Sequence, residues 1–158
     1  MKSPVFILAA VALALPLATI AAESAPHDHG ATPTKVELNA GKKWASDAPL
    51  RKAMNTIRQE VVTALPSTHA GKMTPEQYQS LSTAITGQIG YIVQNCKLDP
   101  KADAQLHAVL GQMTEGIDTL DGKQGDDRAA GVVKVAQSLN NYGTYFQHPG
   151  WKAVAISH

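Results

Sequence analysis

Cys96 is the single cysteine among 158 residues, so no disulfide can form within the chain. Three chemistries remain open to its sulfur. A thiolate is a soft donor that suits Cu(I) or Zn(II). A free thiol can join two copies of the chain through an intermolecular disulfide. A buried thiol can also serve as a small hydrophobe. Three other side chains are of a type that could complete a metal site with it: His148, His107 and Met54. Asp103 precedes His107 by one helical turn and could orient its imidazole. Each has a plainer reading too. His107 and Asp103 make a common surface pair, His148 can cap a helix C-terminus, and Met54 can fill a gap in a core.

Depth along the helices divides these ligands. Met54 and His107 lie about 10–12 Å inward from one end of their helices, whereas Cys96 lies near the very end of its own. Metal–ligand bonds are about 2.0–2.3 Å, so one ion cannot easily hold all of them. The candidate pairs are Cys96 with His148, and Met54 with His107. Upstream, His27-Asp28-His29 is a His-x-His element that could hold Cu(II) or Zn(II) weakly, or a chance feature of a polar segment.

Other chemistries lack their residues. No Cys-x-x-Cys-His occurs, which excludes covalent haem of the c type. A non-covalent haem on Met54 would need an axial partner at the depth of Asn140 and Asn141, and neither can serve. There is no glycine-rich phosphate loop, no Gly-x-Ser-x-Gly, no His-Glu-x-x-His and no di-iron Glu-x-x-His pair. No enzymatic constellation is therefore expected. A formal net charge of +1 gives no electrostatic case for nucleic acid or an anionic membrane.

Four amphipathic segments must position the candidate ligands. The first is predicted from Asp47 to about Leu65, capped by Ser46 or Asp47 and stopped by Pro66. Leu50, Met54, Ile57, Val61 and Leu65 mark one helical face. The second opens on the capping box Thr74-Pro75-Glu76-Gln77. Its apolar face is Tyr78, Leu81, Ile85, Ile89, Ile92 and Cys96, which places Cys96 within the buried stripe. The third opens on Asp99-Pro100 and carries the heptad seam Leu106, Leu110, Met113, Ile117 and Leu120. The fourth starts near Asp126-Asp127. Val132, Val135, Ala136, Leu139, Gly143 and Phe146 mark its inner face, and His148-Pro149-Gly150 ends it.

Short connections force neighbouring helices to run antiparallel. The expected fold is all-α, an up-and-down antiparallel four-helix bundle over residues 47–151, with a tail at 152–158. One end of such a bundle gathers Trp44, Cys96, Asp99, Asp103, Phe146, His148 and Trp151.

Residues 1–22 read as a signal peptide. Lys2 precedes an uncharged apolar run, and small residues follow at Ala21-Ala22. Residues 23–46 read as a flexible linker and a basic lead-in, with Trp44 as its only large anchor. Cleavage after Ala22 would leave a chain of zero net charge and about 136 residues, with no stable membrane span. Its expected location is periplasmic or secreted, an oxidising setting for Cys96.

Trp44-x-x-Asp47-x-x-Leu50-Arg51, Asn95-Cys96-Lys97-Leu98 with Leu106-His107, and Phe146-Gln147-His148-Pro149-Gly150-Trp151 together resemble a family of small exported bacterial proteins. The resemblance covers residues 42–152. It implies a secreted helical bundle with no catalytic activity, and it draws interest to Cys96, His107, His148 and Trp151. The expectation is an exported, non-enzymatic binding protein for a soft metal, with copper first and zinc second. The alternatives are a structural or partner-binding bundle without a ligand, and a homodimer linked through Cys96.

Overall fold

Each helix begins on a residue that satisfies its free N–H groups. The computed structural model describes residues 35–125 and 127–156. The expected signal peptide, the 23–34 linker and His27-Asp28-His29 lie outside the described residues. Helix α1 spans Ala48–His69, α2 Pro75–Asn95, α3 Pro100–Leu120 and α4 Arg128–Tyr145. Asp47 caps α1 by accepting from the Leu50 N–H at 2.9 Å. Thr74 and Gln77 form the expected capping box on α2. Asp99 caps α3 ahead of Pro100, and Asp127 caps α4 by accepting from Ala130 N–H at 3.1 Å.

Three expected helix ends differ. Pro66 does not stop α1, which continues to His69. Proline removes only its own N–H and leaves the carbonyl of Val62 without its helical donor. Pro66 and Val62 both face solvent, where water can serve that carbonyl. The real stop is Gly71 (φ +61°), where Gly71 N–H bonds Thr68 O at 3.0 Å and Lys72 N–H bonds Ser67 O at 2.9 Å. That paired closure uses a left-handed residue just past the helix. Gly122 (φ +77°) closes α3 in the same way. Helix α2 ends at Asn95, so Cys96 is its C-cap with extended backbone and only partly buried, at the edge of the stripe. Helix α4 ends at Tyr145, before His148-Pro149-Gly150, because Phe146 turns extended to pair with Trp44.

The architecture is an all-α four-helix bundle. Helix α3 packs most extensively on α4 and α1 on α2, while α1–α4 and α2–α3 contacts close the ring. Every predicted seam residue of α1 and α3 is buried. No helix among the described residues is long and apolar enough to cross a membrane.

Packing continues beyond 47–151 at both ends. Val36 and Trp44 of the lead-in, and Val154 after α4, join the core. The lead-in reverses at Asn39–Lys42 and then pairs with the end of α4. Trp44 N–H bonds Tyr145 O and Gln147 N–H bonds Trp44 O, each at 2.8 Å. Past α4, the Asn140 amide clamps the main chain of Val154, donating to its C=O at 3.0 Å and accepting from its N–H at 2.7 Å.

The closest helix crossing lies between Gly116 and Gly131. A Cβ on Gly131 would stand 2.7 Å from Gly116 O, and one on Gly116 would stand 2.8 Å from a Val135 methyl. The α3 and α4 backbones touch there, so no side chain can yield. Gly131→Ala should therefore destabilise the fold by about 1–3 kcal/mol, despite alanine's better helix propensity. Gly111→Ala, on the open face of α3 with nothing within 4 Å, should stabilise it by about 0.5–1 kcal/mol. Urea denaturation of the two variants checks the opposite signs.

Candidate functional site

Asp47 carries more than the helix cap. Its Oδ1 accepts from Leu50 N–H and from the Cys96 thiol at 3.5 Å, and its Oδ2 accepts from Lys97 N–H at 2.7 Å. One carboxylate thus joins the first turn of α1 to the α2–α3 connection. Burial works against the Asp47 charge, but the N–H groups of Lys97 and Leu50, the thiol and Arg51 outweigh it and hold the carboxyl below its ordinary range. The thiol responds in the opposite direction. Burial first, and then the Asp47 charge and hydrogen bond, push Cys96 up to about 12. At neutral pH the sulfur carries its proton and acts as a donor to Asp47.

Tyr142 forms the other side of this cluster. It is fully buried, and its hydroxyl lies 2.9 Å from Nδ1 of His148. Phe146 stacks on its ring at 5.4 Å, and Trp151 meets it edge-on at 5.0 Å. Burial raises the Tyr142 phenol well above its usual value, against the pull of Ser46 and Arg51, with the neighbouring Cys96 and Asp47 raising it further. Phenol and imidazole thus share one hydrogen bond between neutral groups, its direction set by the imidazole tautomer. Burial, with Arg51 nearby, lowers the His148 pKa and keeps the ring neutral.

Arg51 and Ser46 bind the cluster to the lead-in and to the segment after α4. The Arg51 guanidinium donates to Ser46 O and, at 3.2 Å, to Ser46 Oγ, and Ser46 Oγ donates to Gln147 O. Trp151 fills the gap left by Gly143, where any Cβ would collide with the indole. Its Nε1 is buried without an acceptor among the described residues. Beside the cluster, a cleft of about 260 Å³ runs between the lead-in and the α2–α3 connection, lined by Trp44, Ser46, Asp47, Lys97 and Leu98.

The four candidate ligands fall in three kinds of place. His148 bonds the Tyr142 hydroxyl, and Cys96 bonds Asp47, close enough for its charge to act on that phenol. Met54 is fully enclosed in the core. His107 is exposed on α3, with Nδ1 2.9 Å from Asp103 O and 3.3 Å from Asp103 Oδ2. Asp103 does orient the imidazole, but at the surface, and Met54 and His107 do not share an environment. No group of three or more His, Cys, Asp or Glu side chains able to hold a metal occurs among the described residues.

Two participants were not singled out by the sequence reading. Tyr142 continues the 3-4-3-4 spacing of Val132, Val135, Leu139 and Phe146. That register, taken in place of Gly143, would have placed it inside. The sequence marks Asp47 as a cap and as part of the Trp44-x-x-Asp47 motif, and nothing local to it signals a thiol 49 positions away.

The lowered His148 pKa has a consequence for stability. The unfolded chain takes up a proton near the ordinary histidine value of 6.5, whereas the folded chain resists it until a lower pH. The stabilisation from neutral His148 is present above that value and is lost as pH falls through the folded pKa. Urea midpoints measured from pH 7.5 to 5 should fall on acidification, and His148→Asn should flatten that fall.

No protein-family model, no curated protein and no solved structure matches the chain.

Proposed function

We propose that the protein is an exported, non-enzymatic binding protein that takes a soft metal ion at the Cys96 end of the bundle, with copper first and zinc second. Cys96 and His148 are the ligands. The observation that supports the reading is that both belong to the polar cluster at this end of the bundle, Cys96 through Asp47 and His148 through Tyr142. A thiol with an imidazole suits Cu(I) and Zn(II). Met54 and His107 have no part in this site, since one is enclosed and the other lies on the surface.

The state of the thiol shapes such binding. With the pKa near 12, the ion must displace the sulfur's proton. Binding therefore releases a proton and strengthens as pH rises. Titration of Cu(I) under anaerobic conditions, in competition with a chelator, tests this. Cys96→Ala should lower the affinity at least about 100-fold and His148→Ala at least about tenfold, the second within the range of a lost supporting ligand. Met54→Leu and His107→Ala should leave it unchanged. Equal binding by the parent protein and Cys96→Ala would sink the site.

One observation favours a second reading, a partner-binding bundle without a metal. The Cys96 thiol already has a hydrogen-bond acceptor in Asp47 and remains neutral, as a packed structural cysteine does. A neutral thiol is also a poor nucleophile for linking two copies. The same titration separates the readings, because this one expects no stoichiometric Cu(I) or Zn(II) binding.

A further inference from the structure

The opposite end of the bundle holds a second polar place. Helix α2 begins where α3 ends, so the first turns of α2 lie beside Asp121, the C-cap of α3. A groove of about 470 Å³ opens between them, lined by Gln79, Ser82, Thr83, Thr86 and Gly87 of α2 and by Asp121. Gln79, Ser82 and Thr86 are spaced by three and four, so the α2 wall is one helical face of hydroxyl and amide groups. A Cβ on Gly87 would meet nothing within 4 Å, which leaves the groove open beyond that face.

Two polar groups on these walls are unserved. Ser80 and Thr83 each donate to a carbonyl one helical turn earlier, at 2.9 Å. Ser82 does not: it is 3% exposed, and its hydroxyl makes no hydrogen bond among the described residues. Asp121 Oδ1 is buried and likewise has no partner among them. Asp121 Oδ2 has a long contact, 3.6 Å from Lys123 Nζ, and that nitrogen sits closer to Asp118, at 2.7 Å. Buried polar groups are paired in folded proteins, and an unpaired one costs free energy. A carboxylate only accepts, so a group that serves both must donate. The C-terminal end of α3 adds the negative pole of its dipole. The lining has one carboxylate and no cationic side chain.

We propose that this groove binds the primary ammonium group of a small alkylamine. An ammonium has three donors. They go to the Asp121 carboxylate, Ser82 Oγ and Thr86 Oγ1, and the alkyl chain runs out past Gly87. A calcium ion takes about six to eight oxygens, with several carboxylates among them, and the groove offers one. The site is independent of Cys96 and of the metal reading.

The probe is n-butylammonium, compared with n-butanol, which matches its chain without the charge, by NMR titration of the labelled protein at constant ionic strength. Butylammonium should shift the amide signals of Ser82, Thr86 and Asp121 to saturation, and butanol should not. Asp121→Asn should weaken binding about tenfold and Ser82→Ala about fivefold, the range of a lost charged and a lost neutral hydrogen bond. Ser82→Ala removes one oxygen at a helical position that alanine favours, so it keeps the fold. Lys123→Ala, which removes the competing cation, should tighten binding. Absence of saturable shifts at these three amides at millimolar probe would leave an ordered water as the partner of both groups and overturn the inference. Equal responses to butylammonium and butanol, or equal binding by the parent protein and Asp121→Asn, would also overturn it. Calcium chloride is the last arm: saturation of the same amides by calcium and not by butylammonium would make the groove a metal site instead.

Discussion

Two oxygens of Asp47 serve three donors, and each donor belongs to a different structural task. Leu50 N–H belongs to the first turn of α1, Lys97 N–H to the α2–α3 connection, and the Cys96 thiol to the candidate site. A carboxylate can accept at about four lone-pair positions, so all three are compatible. The cost falls on the sulfur. Burial raises the Cys96 pKa first, and the fixed negative charge of Asp47 beside the thiol raises it further by opposing a second negative charge there. The residue that starts the first helix therefore adds to the burial that keeps the one cysteine protonated.

The rest of that end is assembled around the same point. Asp47 follows Ser46, whose oxygens receive Arg51 and whose hydroxyl reaches Gln147 O. Trp44, three positions earlier, pairs with the extended backbone at Phe146. That pairing ends α4 at Tyr145 and turns the chain so that His148 and Trp151 return to the Tyr142 ring. At mid-bundle the Gly116–Gly131 contact draws α3 and α4 together, while Gly87 and Gly90 of α2 have nothing within 4 Å. The bundle is tight on its α3–α4 side and open along α2, and the polar cluster sits where α1, α4 and both flanking segments meet.

The helices were legible in the sequence because their information is local. Leu106, Leu110, Met113, Ile117 and Leu120 repeat at heptad spacing, and each is buried. Thr74 with Gln77 and Asp99 with Pro100 announce helix starts through groups within a few residues of one another. The end of the bundle that collects Trp44, Cys96 and His148 was legible from topology, since loop lengths decide which helix ends meet. The contacts within that end were not, because they depend on chain positions far apart. Pro66 misled for a related reason: a proline breaks one hydrogen bond, and whether the helix continues depends on which way the orphaned carbonyl faces. Met54 and His107 looked like partners by depth, but depth leaves the angle around each helix unspecified. One points to the core and the other to solvent.

The neutral thiol bears on the two functional readings in different ways. As packing, Cys96 gains one hydrogen bond and loses nothing by staying protonated. As a ligand, it must lose its proton, and the Asp47 charge opposes the bare thiolate. A cation on the sulfur reverses that sign, because the carboxylate that repels a thiolate attracts a metal ion. Burial and then the Arg51 charge lower the pKa of His148 and keep the imidazole in the neutral form a metal requires. The two candidate ligands are therefore both neutral in the folded chain, between the charges of Asp47 and Arg51. On the metal reading, selectivity then comes from the sulfur: a hard cation gains from Asp47 but little from a thiolate, whereas a soft one gains from both.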